Sequence, residues 1–238
     1  MRRSTTRPGR RWFERALEAG LDFIFPPRCA GCGRHGQFWC VECDRRLKLV
    51  GRSGCPYCGF PRIQKGACLA CEIGDLTVQS YASYRPPLKQ AILQLKYSPD
   101  RRLADLMARW LVERYEASRL EMELIIPVPL ADARKRERGY NQVELIASAM
   151  AGYLNIPVQA QSLLRVQETG SQVGLTPGER FENVQDAFSA ESRFILNQRI
   201  LLLDDLLTSG ATLIGCAHAL FQAGAAQVAC LTVGRTIV

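Results

Sequence analysis

Ile200-Leu201-Leu202-Leu203-Asp204-Asp205-Leu206-Leu207-Thr208-Ser209-Gly210-Ala211-Thr212 is the stretch that decides how this chain folds. Four consecutive apolar residues read as a strand buried on both faces, which belongs in a parallel sheet covered by helices. Two acids end the strand, and a short polar turn opens a helix over Ala211 to Ala223. A helix N-terminus presents unpaired N–H groups and the positive end of the helix dipole, and so favours phosphate. Thr208, Ser209 and Thr212 add hydroxyl donors, and Gly210 lets the backbone come close. Adjacent carboxylates at the carboxyl end of a strand suit sugar hydroxyls or the shell of a Mg²⁺ ion. Together these groups would hold a sugar phosphate. An apolar strand with two acids also describes the Mg²⁺ strand of P-loop nucleotidases, which requires Gly-Lys followed by Ser or Thr. None of the five lysines (48, 65, 89, 96 and 135) is followed by either residue. The remaining alternative is two acids that only cap the helix.

Working outward, strands and helices alternate. Leu76 to Ser83 reads as a strand, Pro86-Pro87 opens a short helix through Lys96, and Arg101 to Ala117 is a second helix. Leu103, Leu106, Met107, Trp110, Leu111 and Tyr115 line one side of that helix. Strand Glu123 to Val128, helix Tyr140 to Leu154 and strand Val158 to Leu164 follow. After the polar loop 165–180, with Gly170, Gly174, Pro177 and Gly178, come the strand at 200, its helix and a last strand from Gln227 to Val233. Loops of that length often act as lids. The expectation is an α/β fold, a parallel sheet with helices on both faces.

A different chemistry fills the front of the chain. Eight of its ten cysteines form Cys-x-x-Cys pairs: Cys29/Cys32, Cys40/Cys43, Cys55/Cys58 and Cys68/Cys71. Each such turn points two thiolates at one ion, and two turns complete a tetrahedral Zn²⁺ site. Two structural zinc ions are expected, because four thiolates leave no open position for a substrate. Sequential pairing of the quartets is the simplest arrangement, with an interleaved pairing of first and third turns left open. Redox-active dithiols are the competing reading. Gly31-Cys32-Gly33-Arg34-His35-Gly36 matches the dinucleotide fingerprint literally. No strand precedes it, and one member is a zinc ligand, so it is set aside. Cys216 and Cys230 stand in apolar surroundings and read as core residues.

Residues 1–11 form a basic arm expected to be disordered, and 12–27 an amphipathic helix with apolar residues at 13, 16, 17, 21 and 24, stopped by Pro26-Pro27. That helix either docks on its own protein or touches a partner or membrane surface. The zinc module spans 28–72, and the sheet domain 73–238. Of the 238 residues, 31 are Lys or Arg and 23 Asp or Glu, a net charge of +8. Residues 1–72 hold 14 of the cations against 6 acids, while 73–238 hold 17 of each. The positive excess therefore belongs to the zinc module and its arm, and eight thiolates with two Zn²⁺ would lower it to about +4. Apolar residues at 47% exclude wholesale disorder. No run approaches the ~18–20 residues of a spanning helix. With no signal-peptide pattern, a cytoplasmic protein is expected, the amphipathic helix being its one candidate for contact with the inner membrane.

The stretch 200–212 resembles the phosphoribosyl pyrophosphate (PRPP) signature of type I phosphoribosyltransferases: four apolar residues, two acids, two spacers, then Thr-Ser/Thr-Gly-x-Thr. Pro127-Val128-Pro129 after a strand, Arg134, Arg138-Gly139-Tyr140-Asn141-Gln142, Leu95-Lys96-Tyr97, Arg165, Gln172, Leu175, Arg180, Asn183 and Phe188 extend the likeness. With the cysteine module in front, the chain from about residue 20 to its end resembles the ComF/GntX-type family. That resemblance implies a five-stranded parallel sheet of the type I phosphoribosyltransferase fold, and a link to DNA uptake in transformation or to use of external DNA. It assigns Asp204 and Asp205 to the ribose hydroxyls, and Thr208, Ser209, Gly210, Ala211 and Thr212 to the 5′-phosphate. It also assigns Val128 and Pro129 to the pyrophosphate loop, with Arg134, Arg138 and Lys96 as phosphate contacts and Arg165, Gln172 and Arg180 on a lid. Guanidinium forks suit bidentate phosphate contacts. Implied companions are PRPP with Mg²⁺, single-stranded DNA and proteins of the uptake machinery. Enzymes salvaging 6-oxopurines carry an Asp where this chain has Thr208, which argues against that substrate class. Two functions remain: a phosphoribosyltransferase of unknown acceptor, or a protein that senses PRPP or holds single-stranded DNA without turnover.

Overall fold

In a parallel sheet, alternate residues of a central strand face opposite layers, so an all-apolar strand needs helices above and below. The computed structural model, which describes residues 26–51, 55, 59, 68, 73–166 and 187–236, is built on that requirement. Strands β1 (Leu76–Ser83), β2 (Leu124–Pro127), β5 (Arg199–Leu207) and β6 (Gln227–Arg235) form a parallel sheet in the order β1-β6-β5-β2. Ile200 and Leu202 point into one layer, against α7 (Ala211–Gln222). Leu201 and Leu203 point into the other, against α2 (Leu88–Tyr97), α3 (Arg101–Ala117) and α5 (Gln142–Leu154). Cys216 and Cys230 are buried in the first layer.

Among the described residues the sheet has four strands, not five. The segment expected to supply the fifth, Val158 to Leu164, begins correctly: Val158 bridges Ile125 in parallel, with Ile125 N–H on the Pro157 carbonyl at 2.8 Å and Gln159 N–H on the Ile125 carbonyl at 2.9 Å. The chain then turns at Ala160-Gln161-Ser162, with the Ser162 hydroxyl donating to the Gln159 carbonyl at 3.0 Å. Its continuation, β3 (Leu163–Arg165), pairs antiparallel with β4 (Phe188–Ala190) in a separate ribbon packed near α7. One residue of pairing is all that the fifth position receives among the described residues, because Leu163, buried in the layer of α7, pairs with Ala190 of β4 and not with β2.

Two short helices complete the described chain. α4 (Asp132–Arg138) buries no residue and carries Arg134, Lys135, Arg136 and Arg138 above the end of β2. α6 (Ser192–Ile195) leads from the ribbon into β5. At the front, α1 (Val41–Arg45) belongs to the first cysteine quartet. Residues 48–50 then run antiparallel along β1: Leu49 bridges Ala82, Val50 N–H donates to the Tyr81 carbonyl at 2.9 Å, and Ser83 N–H to the Lys48 carbonyl at 2.8 Å. The cysteine module thus covers an open sheet edge. Trp39 meets Trp110 edge-on at 5.1 Å between centroids, and Tyr81 stacks on the other side of Trp110 at 5.4 Å. No helix among the described residues is long and apolar enough to cross a membrane. The arm and the amphipathic helix at 12–25 lie outside the described residues.

Candidate functional site

β5 does not stop at the acids. It stays paired with β6 through Leu207, with Asp204 beside Thr232 and Leu207 beside Arg235. Thr236 N–H donates to the Leu207 carbonyl at 2.9 Å and closes the end of the strand. The carboxylates therefore stand on rigid sheet, and the turn 208–210 carries the change of direction. Gly210 sits at φ 82, a left-handed conformation disfavoured for any residue with a Cβ, and is the N-cap of the 12-residue α7. Among the described residues no side chain caps the amides that open α7, beside Ser209 and the exposed Thr208.

The two acids live in different surroundings. Asp205 is 5% exposed, and one of its oxygens, Oδ2, takes both the Lys96 ammonium at 3.2 Å and the Gln142 amide at 2.7 Å. Gln142 is held in turn by Arg138, whose guanidinium donates to Oε1 at 3.1 Å. Arg138 also lies 5.7 Å from the ring of Tyr97, and its Nε is buried without a partner among the described residues. Asp204 is partly buried, and its Oδ1 accepts the Asp205 N–H at 2.8 Å. Desolvation, and then the charge of Asp205, push the Asp204 carboxyl up to about 8. The pair thus couples one carboxylate neutralised by a lysine to one that holds a proton near neutral pH.

Neighbouring segments converge here. The Val128 N–H donates to the Leu203 carbonyl at 2.8 Å, and the Val128 carbonyl accepts the Asn141 amide at 3.0 Å, which fixes the loop after β2 against β5. Asn141 caps α5 through Val143 N–H at 3.0 Å, as the sequence allows. Tyr140 hydroxyl bonds the Leu95 carbonyl at 2.6 Å and locks the turn carrying Lys96 against the α4–α5 corner. Arg134 is exposed on α4, and Arg165 lies on β3 with its guanidinium 5.4 Å from the Phe188 ring. Gln172 and Arg180 are outside the described residues. Gln142 stands in the sequence only within the family likeness, and its role beside Asp205 comes from the structure. No local signal gives this role, because Arg138 and Gln142 belong to different helices separated by the left-handed Gly139.

The second centre is the first cysteine quartet. The sulfurs of Cys29, Cys32, Cys40 and Cys43 all lie within 4.8 Å of one another. Cys29–Cys40 and Cys29–Cys43 are 3.6 Å apart, and Cys32–Cys40 3.7 Å. Ligands at ~2.3 Å around a tetrahedral zinc stand about 3.8 Å apart, so the donors fit the ion. The pairing is sequential for this quartet. Desolvation raises the Cys29 thiol, but backbone N–H groups led by that of Cys40 outweigh it and bring the group down to about 6, while burial pushes Cys43 up. A Cβ on Gly31 would stand 2.6 Å from Pro87 and 2.9 Å from both Cys43 Sγ and Trp39, so the knuckle lies directly on the sheet domain. Of the second quartet, Cys55 and Cys68 are described, and Cys58 and Cys71 lie outside the described residues.

A double zinc ribbon domain model matches residues 20–72. The chain is 30% identical over 207 residues to the DNA utilization protein YhgH of Salmonella typhi, covering 83% of this chain and 90% of that one. It is 30% identical over 216 residues to competence protein F of Haemophilus influenzae, covering 80% and 94%. Competence protein ComFC of Bacillus subtilis is 26% identical over 208 residues, covering 83% and 84%. Among solved structures, glutamine PRPP amidotransferase from B. subtilis aligns with a TM-score of 0.41 at 17% identity, over 59% of this chain and 30% of that one. Adenine phosphoribosyltransferase from Leishmania tarentolae aligns at 0.37 and 20% identity, over 58% of each.

Proposed function

The chain belongs to the ComF family of competence and DNA-utilization proteins, and from that premise we propose that it binds PRPP at the end of β5 and acts in the uptake or use of external DNA. The observation that carries the proposal is the meeting of Asp204 and Asp205 with the uncapped N-terminus of α7 at the carboxyl edge of one parallel sheet. The acids would take the ribose hydroxyls and Thr208–Thr212 the 5′-phosphate. Lys96, Arg134 and Arg138, beside the loop at Val128 and Pro129, would face the pyrophosphate. Arg165, Gln172 and Arg180 are the proposed lid residues.

Asp204 keeps Oδ2 without a hydrogen-bond partner among the described residues, so a hard oxygen donor is present for the Mg²⁺ that accompanies a diphosphate. That ion would screen the charge of the diphosphate. The protein's own share is positioning: Lys96 and Gln142 orient Asp205, and Gln142 carries that order to Arg138. The zinc ribbons, two by sequence, are proposed to be structural, and the redox reading gives way to the tetrahedral fit of the first quartet.

Transfer of the phosphoribosyl group to an acceptor is the enzymatic form of this proposal. A second form is PRPP sensing or single-stranded DNA binding without turnover; Thr208 argues only against 6-oxopurine acceptors and leaves both forms open. The four cations of the exposed α4 suit a phosphate backbone. Calorimetry with PRPP and Mg²⁺ tests the site: the wild type is expected to bind, and Asp204→Ala/Asp205→Ala to lose at least tenfold in affinity. Equal binding by both rejects the assignment. Release of pyrophosphate on screening acceptors separates the two forms.

A further inference from the structure

A groove of about 1080 Å³ opens between the first cysteine knuckle and helices α3 and α5. Its floor is apolar and incompletely covered: Phe38, Trp39, Leu106 and Leu145 line it, and each is only partly buried. Its rim is basic, with Arg101 and Arg109 exposed. Arg109 shares an ion pair only with Asp105, at 3.1 Å and well exposed, and Arg101 has none among the described residues. The volume lies just above the usual range of small-molecule pockets (~300–1,000 Å³), and the groove is open to solvent, which suits a chain segment better than an enclosed ligand.

The described chain enters at this groove: Pro27 is one of its lining residues. The fourteen residues immediately before Pro26 are amphipathic by sequence, with Phe13, Leu17, Leu21 and Ile24 on one helical stripe. Glu14, Glu18 and Asp22 recur every four residues beside that stripe, so a helix would present an acidic row along one edge of its apolar face. An apolar stripe with an acidic edge complements an apolar floor with a basic rim.

We propose that residues 12–25 form a helix that seats in the groove between the cysteine knuckle and the α3–α5 pair, its apolar stripe on Phe38, Trp39, Leu106 and Leu145 and its acidic row along Arg101 and Arg109. A helix of that length is about 21 Å long. Seated there, it ties the zinc module to the sheet domain at a second place besides the edge of β1. It also removes the apolar stripe from reach of a membrane.

The experiment uses the full chain with zinc. Benzoylphenylalanine placed at Leu17 is irradiated, and the cross-linked peptides are mapped by mass spectrometry. Cross-links within one chain to 36–39, 101–109 or 145–149 are the expected result. Hydrogen exchange supplies a reciprocal test: Leu17→Asp/Leu21→Asp should speed exchange at 145–149 at least tenfold, and Leu145→Asp should do the same to 12–25. Should a variant fail to fold, the cross-link on the otherwise unaltered chain still decides. Cross-links that join two chains would assign the groove to a second copy and overturn the proposal. So would cross-links elsewhere on the chain, or protection of 12–25 that arises only with phosphatidylglycerol vesicles.

Discussion

Asp204 and Asp205 show how neighbouring residues of one type acquire different chemistry from their surroundings. Asp205 is charge-compensated by Lys96 and oriented by Gln142, whereas Asp204 meets desolvation and its neighbour's charge, which hold its carboxyl at about 8 against ~3.9 for a free one. Between those values the native state holds a proton that the unfolded chain has released. The stability from this group is therefore complete below about pH 4 and is lost as pH rises through about 8. Melting temperatures taken from pH 5 to 9 should fall with pH, with a slope of at most about 1.4 kcal/mol per unit from this group, and Asp204→Asn should flatten that slope. Gln142→Leu removes the link between Asp205 and Arg138 and leaves buried polar atoms unmatched. A stability loss of about 1–3 kcal/mol by chemical denaturation is expected, together with weaker PRPP binding.

At the scale of elements, the turn between β5 and α7 is the sensitive part. Gly210→Ala places a Cβ at φ 82, which costs about 1–2 kcal/mol, and should lower Tm by several degrees while weakening phosphate binding more than stability. Thermal scans beside PRPP titrations check the two effects separately. The corner from α4 to α5 is a second such element. Its loop and cap bonds, Val128 to Leu203 and Asn141 to Val128, leave α4 itself without buried contacts. Removing the cations of α4, as in Arg134→Ala/Lys135→Ala/Arg136→Ala, should therefore leave Tm within a degree or so. Any binding of single-stranded DNA, followed by fluorescence anisotropy, should weaken and lose part of its salt dependence.

Across the whole molecule, the cysteine module behaves as part of the sheet domain. Residues 48–50 cover the edge of β1, Gly31 lies against Pro87, and Trp39 packs on Trp110. Loss of zinc should then be felt beyond the ribbon. Chelation, or Cys43→Ser, should red-shift tryptophan emission, lower the Tm of the chain and uncover the β1 edge to aggregation. A melting transition of the sheet domain unchanged by chelation would contradict this coupling.

The parallel sheet with helices on both faces, the two acids on the strand that leads into α7 and the first cysteine quartet could all be read from the sequence. Each is a local matter: an apolar run demands burial on both faces, a glycine permits one turn, and Cys-x-x-Cys spacing aims two sulfurs at one ion. What only the tertiary structure decided depends on partners distant in sequence. The segment after Val158 has strand character, yet Leu163, buried in the layer of α7, pairs with Ala190 of β4, so among the described residues the sheet stops at four strands. Gln142 has no assigned role in the sequence until Asp205, 63 positions away, is brought to 2.7 Å. The raised carboxyl of Asp204 is only partly local: the adjacent Asp205 stands in the sequence, but burial, the larger cause, exists only once the layers close over the strand.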